Sequence, residues 1–326
     1  MFNSSTLSSK NIRAVTCLFL LLIGNWQISS AADAIKPFIL TGFYETNEIS
    51  EVVSSARDAL IANDFEIIGQ YSPYADTVIL VFTSGRLQEN STRSRRGGYG
   101  AVLRSSITLN NDRIEVAVTN PVYWANAYRM ESDLADTRVK LEKALGFIED
   151  FGTGDEELSA DDVRKYHYTF MMEYFDDPSI LAYFDSHQQA VQTINKNLAS
   201  QVAASKKIYQ LDLGEDSEGT PMTIIGVGLT GENEDDCGSD AYIMGRIDKS
   251  SPRHTAHLPY EILVYGKHAE ALYGRFRIAI SWPHLPMMAS ETGATFFSIM
   301  CAPGAIEDSL TRIAGGSQQP KSRGDK

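Results

Sequence analysis

The chain has 326 residues, 43% of them hydrophobic, with 29 basic against 42 acidic side chains, a formal charge of −13 and three cysteines. That acidic balance excludes general nucleic-acid binding, which needs a basic footprint to displace phosphate counterions, and favours solubility instead. With no Cys-x-x-Cys in the chain, a thiolate metal cluster or a vicinal redox motif is excluded as well.

Lys10 and Arg13 precede an apolar run from Ala14 to Ile23 that is too short for a stable bilayer span, and small residues follow in ISSAADA. Residues 1–32 read as a signal peptide cut after Ala32, with Ala34 as the alternative cleavage position. Cys17 lies inside the apolar run, which speaks against a lipid anchor. No later run approaches the roughly 18 apolar residues of a membrane helix. The expectation is a free periplasmic or secreted protein without a transmembrane anchor, its formal charge moved from −13 to −15 by loss of Lys10 and Arg13. What remains is long enough for two domains, each with its own core.

The first domain, 35–151, opens with a strand at 38–45 and a helix near 48–62 whose Ile49, Val52, Val53, Ala56 and Leu60 form one apolar stripe. EIIGQYS, TVILVFTS, VLRSSITL and RIEVAVT read as four further strands. Ser132 is placed to cap a helix carrying Leu134, Leu141, Leu145 and Ile148. A linker opens at Gly152–Glu157 and runs to residue 164. The second domain, 165–314, is predicted to open with a strand at 166–175, followed by a helix started by Asp177 and Pro178 and carrying Ile180, Phe184, Val191, Ile194 and Leu198. KIYQLDL, TIIGVGL and YEILVYG are its next strands, and a helical region from about Phe296 to Ile313 is expected to break at Pro303 and Gly304. Residues 315–326 are disordered by composition.

RIEVAVTNPVYW (113–124) aligns without a gap on RFRIAISWPHLP (275–286), matching Arg113 to Arg275, Ala117 to Ala279 and Pro121 to Pro283. Period-two alternation makes both one-sided strands that end at a proline. The chain is thus expected to be a tandem α+β protein, two copies of a β-α-β-β-β-β-α sandwich. This order, with the strand ending TNPVYW, resembles the domain-of-unknown-function 302 family, and the second copy departs by placing Trp282 before its proline. The resemblance implies a TATA-binding-protein-like fold that tends to pair, here as an intramolecular pseudo-dimer. It implies no activity.

No nucleophile elbow, phosphate loop, dinucleotide fingerprint or His-Glu-x-x-His occurs, so the chain reads as a binding protein for a small molecule or protein partner, held in a groove between the copies. Candidate ligand contacts are Arg86, Arg93, Arg95 and Arg96 of the loop SGRLQENSTRSRRGGYG, in which guanidinium forks sit beside mobile glycines, together with Asn120, Tyr123, Trp124 and Trp282. The corresponding loop of the second copy, GENEDDCGSD, is acidic, and both loops read as solvated hairpin tips. A metal-binding alternative, for copper or haem, rests on His284, Met287 and Met288, with His167 and Met171 on one face of the predicted strand, because thioether and imidazole suit a soft metal. His254 and His257 read as an exposed loop and His187 as a satisfied core residue. Cys237 and Cys301 are a possible disulfide.

Overall fold

The computed structural model describes residues 34–46 and 48–317; the expected signal peptide, and the tail beyond residue 317, lie outside the described residues. In chain order the first half forms β1 (Phe38–Tyr44), α1 (Ile49–Ala62), β2 (Glu66–Tyr71), β3 (Thr77–Thr83), α2 (Gly85–Thr92), β4 (Leu103–Asn110), β5 (Arg113–Thr119), α3 (Pro121–Ala127), α4 (Ala135–Leu145) and β6 (Glu149–Phe151). A short α5 (Ala160–Arg164) stands in the connecting segment. The second half forms β7 (Ser179–Tyr183), α6 (His187–Ala199), β8 (Ser205–Glu215), β9 (Pro221–Leu229), α7 (Asp240–Ile247), β10 (Tyr260–Tyr265), β11 (His268–Ala271), α8 (Gly274–Ser281) and α9 (Ala302–Ala314).

The fold is α+β, with two antiparallel sheets ordered β2-β3-β4-β5-β1-β6 and β8-β9-β10-β11-β7. With β6 set aside, the halves run their strands in the same order and place helices at the same points of it. α1 and α4 cover one face of the first sheet, and α6 and α9 one face of the second. The opposite faces are covered by exchange. α2 and the turn at 97–100 lie on β8, β9 and β10, while the turn at 255–257 lies on β4 and β5. The expected one-sided packing of 113–119 therefore fails, since Glu115, Ala117 and Thr119 are buried like Ile114, Val116 and Val118.

The gapless alignment is overturned. Residues 113–119 are a strand, but 274–281 are a helix. Every side chain from Phe276 to Ser281 is buried, so solvent imposes no helical period and a short apolar run reads as alternation. The strand in the position of β5 is β11, four residues long and without an apolar pattern of its own. Nor does a proline end β5 passively: Asn120 caps α3, its side chain accepting the Val122 N–H, with Pro121 in the first turn. Residues 166–175 form turns rather than a strand, and Ser186, not Asp177, caps α6 by accepting the Gln189 N–H. Pro303 opens α9 instead of breaking it. Gly315 and Gly316, expected in the disordered tail, close that helix by donating to the Arg312 and Thr311 carbonyls.

Buried charge contacts join the halves. Arg104 and Glu261, each the second residue of its strand, pair between the sheets at 2% side-chain exposure apiece. Glu270, third in β11, accepts Arg96 Nε at 2.8 Å. Glu115, third in β5, accepts the Arg253 backbone N–H at 2.9 Å. Gly98 permits this approach, since a Cβ there would meet Leu263 Cδ1 at 2.8 Å.

Candidate functional site

α8 ends deep in the protein, where its last carbonyls have no intrahelical partner. Side chains from elsewhere cap them in turn. Tyr166 Oη donates to the Ala279 carbonyl at 3.2 Å, Tyr123 Oη to Ile280 at 2.8 Å, and His254 Nδ1 to Ser281 at 3.1 Å. A carbonyl only accepts, so His254 carries its proton on Nδ1; burial holds its pKa down at about 3, and the ring stays neutral.

The Tyr166 contact fixes the connecting segment against α8, beside the chain that follows that helix. Between them lies a cleft of about 650 Å³, walled by Glu156, Asp162, Lys165 and the rings of 166–168 on one side and by Pro283–Met287 on the other. Tyr168 Oη donates to the Leu285 carbonyl at 2.9 Å, and its ring packs on Phe296 at 4.4 Å. Asp162 accepts from the Ser159 N–H and hydroxyl, closing a capping box for α5 that lowers its pKa. His284 donates through Nδ1 to the Gly152 carbonyl at 3.1 Å. Gly154, at φ +56°, lets the backbone pass this ring, which a Cβ would meet at 3.1 Å. Burial depresses the His284 pKa, with the Gly152 carbonyl opposing. The neutral ring therefore keeps its lone pair on Nε2.

The cleft brings together three of the five predicted metal ligands, His167, His284 and Met287. Met288 is exposed outside the lining, and Met171 borders a separate hollow of about 400 Å³ with Met172 and Tyr174. Among the described residues no group of three or more His, Cys, Asp and Glu side chains could hold a metal ion. The cleft lining offers the rings of Tyr166, His167, Tyr168 and His284, the Thr169 hydroxyl, two carboxylates and one ammonium.

Most of the other predicted ligand contacts are spent internally. Asn120 Nδ2 donates to the Lys36 carbonyl, Trp124 Nε1 to that of Pro37, and Trp282 stacks on His254, all buried. The arginine loop is not a solvated tip, because its glycines form the buried turn at 97–100. Arg86 and Arg93 pair with Glu89, Arg96 is committed to Glu270, and Arg95 is exposed and makes no ion pair among the described residues. In the acidic loop Asp236 accepts the loop's own Glu232 and Gly238 N–H groups, and Glu232 faces Arg312 at 3.6 Å. His254 and His257, read as exposed, are buried; His257 accepts Arg277 through Nδ1 and donates through Nε2 to Tyr260 Oη. His187 has both ring nitrogens partnered, by the Gly266 carbonyl and Thr223.

Sequence reasoning passed over Tyr166 and Tyr168, whose signal was their position in an aromatic run at the edge of the linker, and the buried carboxylate Asp248; Asp240, read as part of a solvated acidic loop, is buried as well. No helix among the described residues is long and apolar enough to cross a membrane. Comparison with known proteins finds no matching family model, no matching curated protein and no matching solved structure.

Proposed function

We propose that this is an exported binding protein that holds a small organic cation in the cleft between the connecting segment and residues 283–287. The observation that carries the reading is the make-up of that cleft. The hydroxyls of Tyr166 and Tyr168 are both spent on backbone carbonyls, so the rings are held in place, and two carboxylates, Glu156 and Asp162, stand there against the single ammonium of Lys165. A fixed ring attracts a cation by about 0.5–1 kcal/mol where exposed and about 2 where dry. The volume is within the range of small-molecule sites. Export is supported by the charged-then-apolar start of the chain and its small-residue cleavage stretch. Kinship with the domain-of-unknown-function 302 family belongs to the same reading, and what supports it is the strand order that both halves share, with a helix after the first strand and helices after the fifth; each half adds a further helix between its third and fourth strands. Calorimetric titration with a series of quaternary ammonium ions tests the site. Binding is expected, weakened about fivefold or more by Tyr168→Ala and by Glu156→Gln; absence of heat from every member of the series refutes it.

A second reading is favoured by the tautomer of His284. Its Nε2 lone pair is available in a cleft shared with His167 and Met287, a nitrogen and thioether set that suits cuprous copper. Copper analysis of protein purified from its native compartment decides it. Bound copper that His284→Ala removes supports the metal reading, and copper-free protein refutes it.

A further inference from the structure

Cys237 lies in the acidic loop before α7, and Cys301 is the residue that precedes α9. Loop and helix are strapped together by independent contacts. A Cβ on Gly238 would come within 3.0 Å of the Ala305 Cβ, Glu232 faces Arg312, and Tyr242 Oη lies 3.9 Å from Cys301 Sγ. Inside this strap the Cys237 thiol is within hydrogen-bonding reach of the Cys301 thiol. Both are free, Cys301 exposed and Cys237 half-buried.

We propose that Cys237 and Cys301 are a redox pair that closes to a disulfide by exchange with a small-molecule disulfide, locking the acidic loop to the start of α9. The exposed Cys301 loses its proton and its thiolate attacks one sulfur of the small disulfide. A Cys301 mixed disulfide forms, and one small thiolate leaves and takes up the proton. Cys237 then transfers its proton to the second leaving group and attacks the Cys301 sulfur, forming the internal bond. Two protein thiols are oxidised and one small disulfide is reduced to two thiols, so atoms and electrons balance without a further oxidant. Exposure sets the order. Burial, with the neighbouring Cys301 thiol, pushes Cys237 up to about 11, which leaves it the resolving rather than the attacking thiol.

The test treats the full chain with oxidised glutathione, alkylates it and maps the Cys237 and Cys301 peptides by mass spectrometry. The two peptides should be recovered cross-linked, with neither residue alkylated. Cys237→Ser should trap a stable glutathione adduct on Cys301, whereas Cys301→Ser should leave Cys237 largely unmodified. Amide exchange across 230–239 should slow on oxidation. Two alkylated residues, two stable adducts in the parent, a cross-link between chains or unchanged loop exchange would each overturn the proposal.

Discussion

Glu261→Gln probes how the two halves are held together. The Glu261 carboxylate pairs with Arg104 between the sheets and also accepts Tyr209 Oη at 2.7 Å. Burial works against the Arg104 charge, but the carboxylate opposite overrides it and holds the pKa above the usual guanidinium value. Glutamine keeps the volume and an oxygen for Tyr209 while removing the charge, so the guanidinium is left buried without its counter-ion. Breaking a buried pair in this way costs about 3–5 kcal/mol. For roughly 280 described residues the entropy of unfolding is about 0.6 kcal/mol per kelvin, so Tm should fall by about 5–8 °C in scanning calorimetry. Adding Arg104→Met removes the orphaned charge and should recover at least half of the loss. A Glu261→Gln protein within about 1 °C of the parent, or a double variant that loses the sum of the singles, would refute the account.

Three further outcomes are expected. Burial raises Asp240 to about 7, against the Tyr71 and Leu229 donors, and Asp248 to about 6, against the His254 N–H. Both acids sit above their unfolded values, so the native state binds more protons and stability declines as pH rises from about 4 to 7; Asp240→Asn should flatten that decline in a Tm–pH series, and an unchanged slope would exclude Asp240 as its source. Tyr123→Phe strands the buried Ile280 carbonyl and should cost about 1–3 kcal/mol in urea denaturation, whereas a loss below about 0.5 would mean that the carbonyl finds another donor. Arg96→Ala should cost about 3–5 kcal/mol because Glu270 is fully buried, while Arg95→Ala should stay within about 0.5; equal effects would show the loop to be a uniform surface.

Elements with one wet and one dry face were legible in the sequence. α1, with one face of each kind, falls within a residue of its apolar stripe, and the expected strands β1 to β5 all form, β3 to β5 from longer strand-forming runs although both of their faces are buried. The failures lie where the element is short. α8, buried at every residue from Phe276 to Ser281, imitated a strand, and β11 hides in HAEA, where only pairing with β10 and β7 makes a strand of four residues. His254 and His257 looked exposed because a loop rich in proline and polar residues usually is. They are buried because that loop crosses onto the other half. Of the site, His284, His167 and Met287 were recoverable from side-chain chemistry. Tyr166 and Tyr168 were not, since their roles depend on where α8 ends.

The buried charges at the junction carry opposite signs at matching places. The second residue of β4 is arginine and that of β10 is glutamate, and these two meet. If the first half paired with another copy of itself in the same arrangement, Arg104 would face a second Arg104, and the second half would likewise set Glu261 against Glu261. Either arrangement buries two like charges without a counter-ion, a cost of several kcal/mol that the apolar surface around them does not remove. The halves thus favour each other over copies of themselves. At that packed junction the space beside Glu261 and Arg277 is only about 10 Å³, against about 650 Å³ in the cleft proposed to hold a ligand.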